Sequence, residues 1–134
     1  VCVLVYNQKF ERDRLKALAE EFPDLSEHLL NIESNIKDLL DPFQKGAYYN
    51  RAMGGSFSLK SVLPAIFPDD PALDYHNLEE IHNGGEVMTI FPLIKDMPPE
   101  EQERTRKNML EYCELDTLAM VKIWQKLIAA SNCV

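Results

Sequence analysis

The first six residues, Val1-Cys2-Val3-Leu4-Val5-Tyr6, form an unbroken apolar, β-branched run that Asn7 separates from a stretch with helical spacing. Continuous runs of this kind suit a strand covered on both faces, as in parallel sheets, whereas half-solvated strands alternate. From Phe10 to Phe22 the apolar positions Phe10, Leu15, Leu18, Ala19 and Phe22 recur at helical intervals until Pro23 forces a stop. A strand passing directly into a helix predicts an α/β chain. The sequence also begins in mid-strand, so these 134 residues are expected to be an excised piece of something longer.

Asp24 to Ile32 fits a second helix with Leu25, Leu29 and Ile32 on one side and Asp24 or Ser26 as its cap. Ile36 to Leu40, interrupted by Lys37 and Asp38 and closed by Pro42, has the length of a short strand beside the first, although periodicity alone also admits a helix. Gln44 to Phe57 carries three glycines and few core candidates, which predicts a loop. Ser56 or Ser58 then caps a helix bearing Leu59, Val62, Leu63 and Ile66, with Pro64 in its first two turns and an end near Phe67-Pro68. Asp69 to Leu73 reads as a loop, Leu78 to Ile81 as one helical turn stopped by Asn83-Gly84-Gly85, and Glu86 to Ile94 as a helix interrupted by Pro92. Pro98 and Pro99 open the strongest helical stretch, with Glu100, Glu101 and Glu103 at its positive end. That stretch runs through Met109, Met120, Trp124 and Leu127 as core positions, with a kink or break expected between Tyr112 and Thr117. Residues 1–134 read as a single domain with no internal repeat.

Twenty-two acidic against 14 basic residues give a net charge of −8, the wrong sign for a surface that attracts nucleic acid everywhere. Any phosphate contact must be local, and Arg104, Arg106 and Lys107 lie among glutamates on a solvated face. Cys2, Cys113 and Cys133 are odd in number and lack Cys-x-x-Cys spacing, which argues against a disulfide framework or a zinc ribbon and for a reducing cytoplasm. His28, His76 and His82 lack the spacing that aims two imidazoles at one metal from one helix, and read as surface residues. No apolar run approaches the roughly 18 residues of a membrane span, so no membrane role is implied.

Three groups could carry chemistry. Glu11 follows the first strand at the start of a helix, where a carboxylate suits a hard divalent cation; its plainer role is to offset the helix dipole. Tyr112 and Asp116 stand four apart and share one helix face, so a hydroxyl could orient water beside an ion held by the aspartate. The plainer role of Tyr112 is a core residue with its hydroxyl at the surface. Gly54-Gly55-Ser56-Phe57-Ser58 with Lys60 could offer amides and an ammonium to a phosphate, but lacks the spacing of a P-loop and reads more simply as a turn and N-cap.

In order along the chain, Val-Tyr-Asn-x-x-Phe-Glu-x-x-x-Leu from Val5, Ser58-Leu59-Lys60-x-x-Leu63, and Glu111-Tyr112-Cys113-x-Leu115-Asp116-Thr117 resemble the DnaQ-like 3′–5′ exonucleases of the ribonuclease H-like superfamily. More narrowly, the segment looks like an uncharacterised bacterial domain of that group. The resemblance covers most of the chain and implies the C-terminal part of a ribonuclease H-like fold, with a short parallel sheet, several helices and a long last helix. It also implies four carboxylates binding two magnesium or manganese ions and acting on the 3′ end of DNA or RNA. Glu11 matches the third carboxylate, where aspartate is more usual, Asp116 the fourth, and Tyr112 the water-orienting tyrosine. Asn7 matches the residue that braces the loop or touches substrate; Lys60 is a candidate substrate contact only through the loop reading above. Glu11 and Asp116 are accordingly expected to face one cleft. The first two carboxylates of such sites come from an Asp-x-Glu strand, a pattern found nowhere in these residues. The chain alone is thus expected to be inactive, and unpaired strand edges would invite self-association. The alternative is a non-catalytic nucleic-acid-binding or structural module with the same fold.

Overall fold

The computed structural model describes residues 2–78, 81 and 83–132. Val1, the predicted turn through Glu79 and Glu80, His82 and Cys133 lie outside the described residues. The chain is mostly helical with a short parallel sheet, an α/β arrangement, and divides into two compact units, Val1–Tyr49 with Ile123–Val134, and Asn50–Lys122.

In the first unit, strand β1 (Val3–Val5) leads through Asn7 into helix α1 (Gln8–Glu21), and helix α2 (Ser26–Ser34) returns the chain to strand β2 (Ile36–Asp38). β1 and β2 pair in parallel with Val3 opposite Ile36 and Val5 opposite Asp38, the expected partnership. Parallel neighbours need a long crossover, which the two helices provide. Leu39 N–H donates to the Val5 carbonyl at 2.9 Å and extends the ladder past β2. Val5 and Ile36 are buried while Val3 and Leu4 are half-buried, so β1 is less enclosed than its continuous apolar run predicts.

α2 begins differently from expectation. Pro23 nucleates a 3₁₀ turn, Pro23–Leu25, closed by Leu25 N–H on the Phe22 carbonyl at 3.0 Å. The turn runs straight into α2, so neither Asp24 nor Ser26 serves as a side-chain cap. Pro42, expected to end the segment, instead opens a short helix, α3 (Asp41–Gln44), whose Phe43 is almost wholly buried and meets Tyr48 edge-on. Phe10 and Leu18 on α1, and Phe22 just beyond its end, stay substantially exposed and only Ala19 is buried, so periodicity overstates the core this helix contributes.

α1 is fastened to α2 by charge. Arg12 Nη1 donates to Glu33 Oε1 at 2.6 Å, and Lys16 Nζ stands 3.5 Å from the same oxygen. The Arg12 hydrogen bond, aided by both positive charges, holds the Glu33 carboxyl below its ordinary value. A group whose pKa is depressed on folding contributes stability above its unfolded pKa and loses it as pH falls through the folded value. Thermal unfolding from neutral to acidic pH is therefore expected to show an acid loss that is smaller in Glu33→Gln, which lacks the titrating charge. Equal acid sensitivity in the two proteins would remove this pair from the explanation.

The second unit is built on helix α4 (Leu59–Ile66), whose Val62, Leu63, Ala65 and Ile66 are all buried. The expected loop before it contains a 3₁₀ turn, Arg51–Met53, with Met53 buried and Asn50 Nδ2 donating to the Ala65 carbonyl at 2.8 Å. The segment thus holds a core residue that its glycine content hides. Pro64 lies past the first turn, where a missing N–H is harmless, and α4 ends two residues later.

Asn83-Gly84-Gly85 starts a helix instead of stopping one. Asn83 Oδ1 accepts Glu86 N–H at 3.0 Å, and helix α5 (Gly84–Ile90) follows before Pro92 turns the chain into a 3₁₀ segment, Phe91–Asp96. Asparagine is as good an N-cap as it is a turn residue, and here the cap wins.

Helix α6 (Pro99–Ser131) runs without the expected break. Thr117 Oγ1 donates back to the Cys113 carbonyl at 2.9 Å, the local bond available to a threonine inside a helix, so it caps nothing. Thr105, Asn108, Met109, Leu115, Ala119 and Ile123 form its buried stripe, with the half-buried Tyr112 filling the helical spacing between Asn108 and Leu115, whereas Trp124 is 43% exposed. Among the described residues no helix is long and apolar enough to cross a membrane.

Candidate functional site

Tyr112 and Asp116 lie one turn apart on the edge of the buried stripe of α6, both half-buried. Tyr112 packs against the cluster of Ile81, Ile94 and Met109. Its hydroxyl meets the start of α5, where a β-carbon on Gly84 would sit 3.9 Å from it. Burial, then the charge of Asp116 and a hydrogen bond with it, raise the Tyr112 phenol above its ordinary value, against a smaller opposite pull from the Gly84 amide. Tyr112 is thus a neutral hydroxyl turned towards a carboxylate.

A second tyrosine, which sequence reasoning missed, completes this group. Tyr75 is 5% exposed, and its hydroxyl donates to Asp116 Oδ1 at 2.5 Å. Two capped 3₁₀ turns bring it there: Asp70 Oδ1 accepts Ala72 N–H at 3.2 Å and Asp74 Oδ1 accepts His76 N–H at 3.0 Å. The Tyr75 and Tyr112 ring centres are 6.0 Å apart, and Lys60 Nζ lies 5.9 Å from the centre of the Tyr75 ring, within cation–π range. Three expected residues, Lys60, Tyr112 and Asp116, are therefore gathered around one unexpected tyrosine. Tyr75 stood in a polar stretch, and its one sequence signal was an aromatic side chain between Asp74 and His76.

Asp116 is met by tyrosine hydroxyls, and no Lys, Arg or His among the described residues forms a salt bridge with it. A carboxylate has about four acceptor positions, of which two tyrosines use a part. That donor chemistry fits a hard cation. Tyr75→Phe removes this hydrogen bond to the carboxylate and is expected to destabilise the protein by about 1.5–3 kcal/mol, the usual range for a bond to a charged group. Urea unfolding of the two proteins measures the difference, and a change near zero would mean that water replaces Tyr75.

Glu11 belongs to the first unit, half-buried in the first turn of α1. Asn7 caps α1 by position only: its φ is 74°, in the left-handed region, and its side chain makes no cap bond. Bracing of this turn falls to Asp38, a residue the sequence reading treated as an interruption of β2. Asp38 Oδ1 accepts Asn7 N–H at 3.0 Å, and Oδ2 accepts Gln8 N–H at 2.7 Å.

Near Lys60, Gly54 and Gly55 have φ of 62° and 80°, conformations that favour glycine, so a tight turn accounts for both. Ser58 occupies the N-cap of α4, yet its hydroxyl pairs with Ser61 Oγ at 3.1 Å and makes no cap bond. Cys2 and Cys113 are exposed free thiols, and His76 Nδ1 bonds Asp74 Oδ1 at 2.7 Å as a surface residue.

Residues 1–58 match a family described as a domain of unknown function, DUF2779. The matched stretch contains Asn7, Glu11 and Asp38 and ends before Lys60, Tyr75, Tyr112 and Asp116. No curated protein matches the chain, and no solved structure does.

Proposed function

We propose that this chain is the C-terminal part of a DnaQ-like, ribonuclease H-like 3′–5′ exonuclease domain and contributes Glu11 and Asp116 to its metal site. The observation that carries this reading is the Tyr112–Asp116 pair on α6, a half-buried carboxylate met by tyrosine hydroxyls and without a cation partner among the described residues. Support also comes from the β1–α1 junction, which sets Glu11 in the first turn after a parallel strand.

Glu11 and Asp116 would hold magnesium or manganese, two ions in the complete domain. Such ions activate water and offset charge on the attacking and leaving oxygens of a phosphodiester. Tyr112 orients the attacking water, Lys60 contacts a substrate phosphate, and Asn7 borders the nucleic-acid strand. With a net charge of −8, the chain needs such contacts to be local, at the 3′ end of DNA or RNA. A reducing cytoplasm suits the exposed thiols of Cys2 and Cys113, and the edges of the two-stranded sheet offer a route to self-association.

The absence of any Asp-x-Glu in the sequence favours a second reading, a nucleic-acid-binding or structural module that keeps this fold without chemistry. Both readings expect the 134-residue chain to be inactive by itself. Purified chain, incubated with magnesium or manganese and a 3′-labelled oligonucleotide, is expected to bind metal weakly and leave the label in place. Metal-dependent release of mononucleotides that disappears in Asp116→Asn would show that these residues suffice, contrary to the divided site. The two readings part when the chain is joined to an Asp-x-Glu strand: 3′ release supports the exonuclease, and its absence supports the module.

A further inference from the structure

Apart from glycines, Asn7 is the one described residue with a positive φ, and it stands where β1 becomes α1. Asparagine enters left-handed backbone more readily than most residues, but at a fixed turn the conformation still needs surroundings that hold it. Here they do so through a residue 31 positions away in sequence. Asp38 is in register with Val5, so its carboxylate reaches across the end of the sheet. Oδ1 accepts both Asn7 N–H and Leu40 N–H, each at 3.0 Å, while Oδ2 accepts Gln8 N–H at 2.7 Å.

One side chain thereby satisfies amides at the start of α1 and at the end of β2. Its charge also opposes the positive end of the α1 dipole. An amide in its place would turn an N–H towards the Gln8 N–H, so both carboxylate oxygens are needed. A Ser or Asp at position 7 would suffice merely to cap α1. A cap borrowed from β2 does more, because it fixes the direction in which the helix leaves the sheet.

We propose that Asp38 is a positioning residue of the site, holding the strand-to-helix turn so that Asn7 and, within the next turn, Glu11 are presented in fixed places. The proposal rests on the reading of Glu11 as a metal ligand. Elements that orient ligands without touching the ion typically change metal affinity by about 10–100-fold when removed.

The test compares wild type, Asp38→Ala, Asp38→Asn and Glu11→Gln by manganese titration followed by electron paramagnetic resonance, with amide hydrogen exchange at Asn7 and Gln8 and thermal midpoints measured alongside. In Asp38→Ala, exchange at Asn7 and Gln8 is expected to accelerate and manganese affinity to fall by at least about 10-fold. Asp38→Asn, which keeps Oδ1, is expected to fall between wild type and Asp38→Ala and serves in its place if that protein does not fold. Unchanged manganese affinity in both Asp38 variants, with affinity lost in Glu11→Gln, overturns the positioning role and leaves the metal reading standing. Unchanged exchange at Asn7 and Gln8 overturns it as well. Unchanged affinity in Glu11→Gln instead overturns the metal reading, and the role of Asp38 towards Glu11 with it.

Discussion

In a protein that joins this chain to an Asp-x-Glu strand, Asp116→Asn is expected to abolish release of nucleotides from a 3′ end, while Tyr112→Phe lowers the rate without abolishing it. Removing a charged ligand dismantles a cation site, because affinity for hard cations depends on the number and charge of oxygen ligands. Losing the Tyr112 hydroxyl leaves the carboxylates in place and misplaces only the attacking water. A group that positions or deprotonates water contributes roughly 10²–10⁴-fold, which bounds the Tyr112→Phe effect and should be exceeded by Asp116→Asn. Single-turnover rates on a 3′-labelled oligonucleotide, with circular dichroism to confirm folding, separate the two. Wild-type turnover in both variants would make the α6 pair structural and return the chain to the binding-module reading.

The largest effect on stability is expected from Leu63→Ala. Leu63 has no exposed surface and sits in the middle of α4, where every neighbouring inward position is also filled. Truncation removes the transfer energy of the side chain and leaves a cavity, together about 2–5 kcal/mol. Leu110→Ala provides the comparison: at 70% exposure its change is expected to stay within about 0.5 kcal/mol. Urea or thermal unfolding reads both, and similar small losses would mean that the interior around α4 collapses to fill the space.

Local signals in the sequence carried the first unit well. The run ending at Tyr6, the proline at 23 and the short Ile36 segment were enough to expect two parallel strands joined through helices. Residues with two competing roles were harder to read. Asn83 and its glycines can stop one helix or start another, and nothing nearby in sequence chooses between them. Thr117 can cap or bond back within a helix, and burial of the α6 stripe on both sides of it decides for continuity.

The site was legible as far as it is written in spacing. Tyr112 and Asp116 share a helix face because they are four apart, and a sequence shows that directly. Tyr75 and Asp38 act through contacts 41 and 31 residues distant, each as an acid or an aromatic that looks ordinary in its own neighbourhood. Tertiary hydrogen bonds of that kind leave no periodicity to detect.

The proposal that Glu11 and Asp116 serve one ion site is tested most directly by adding manganese to the isotopically labelled chain and following paramagnetic broadening of its amide signals. The expected result is broadening around Glu11 and around Asp116 over the same range of manganese concentration, diminished at both places by either Glu11→Gln or Asp116→Asn. Broadening at neither residue, or at one of them irrespective of a substitution at the other, would contradict it.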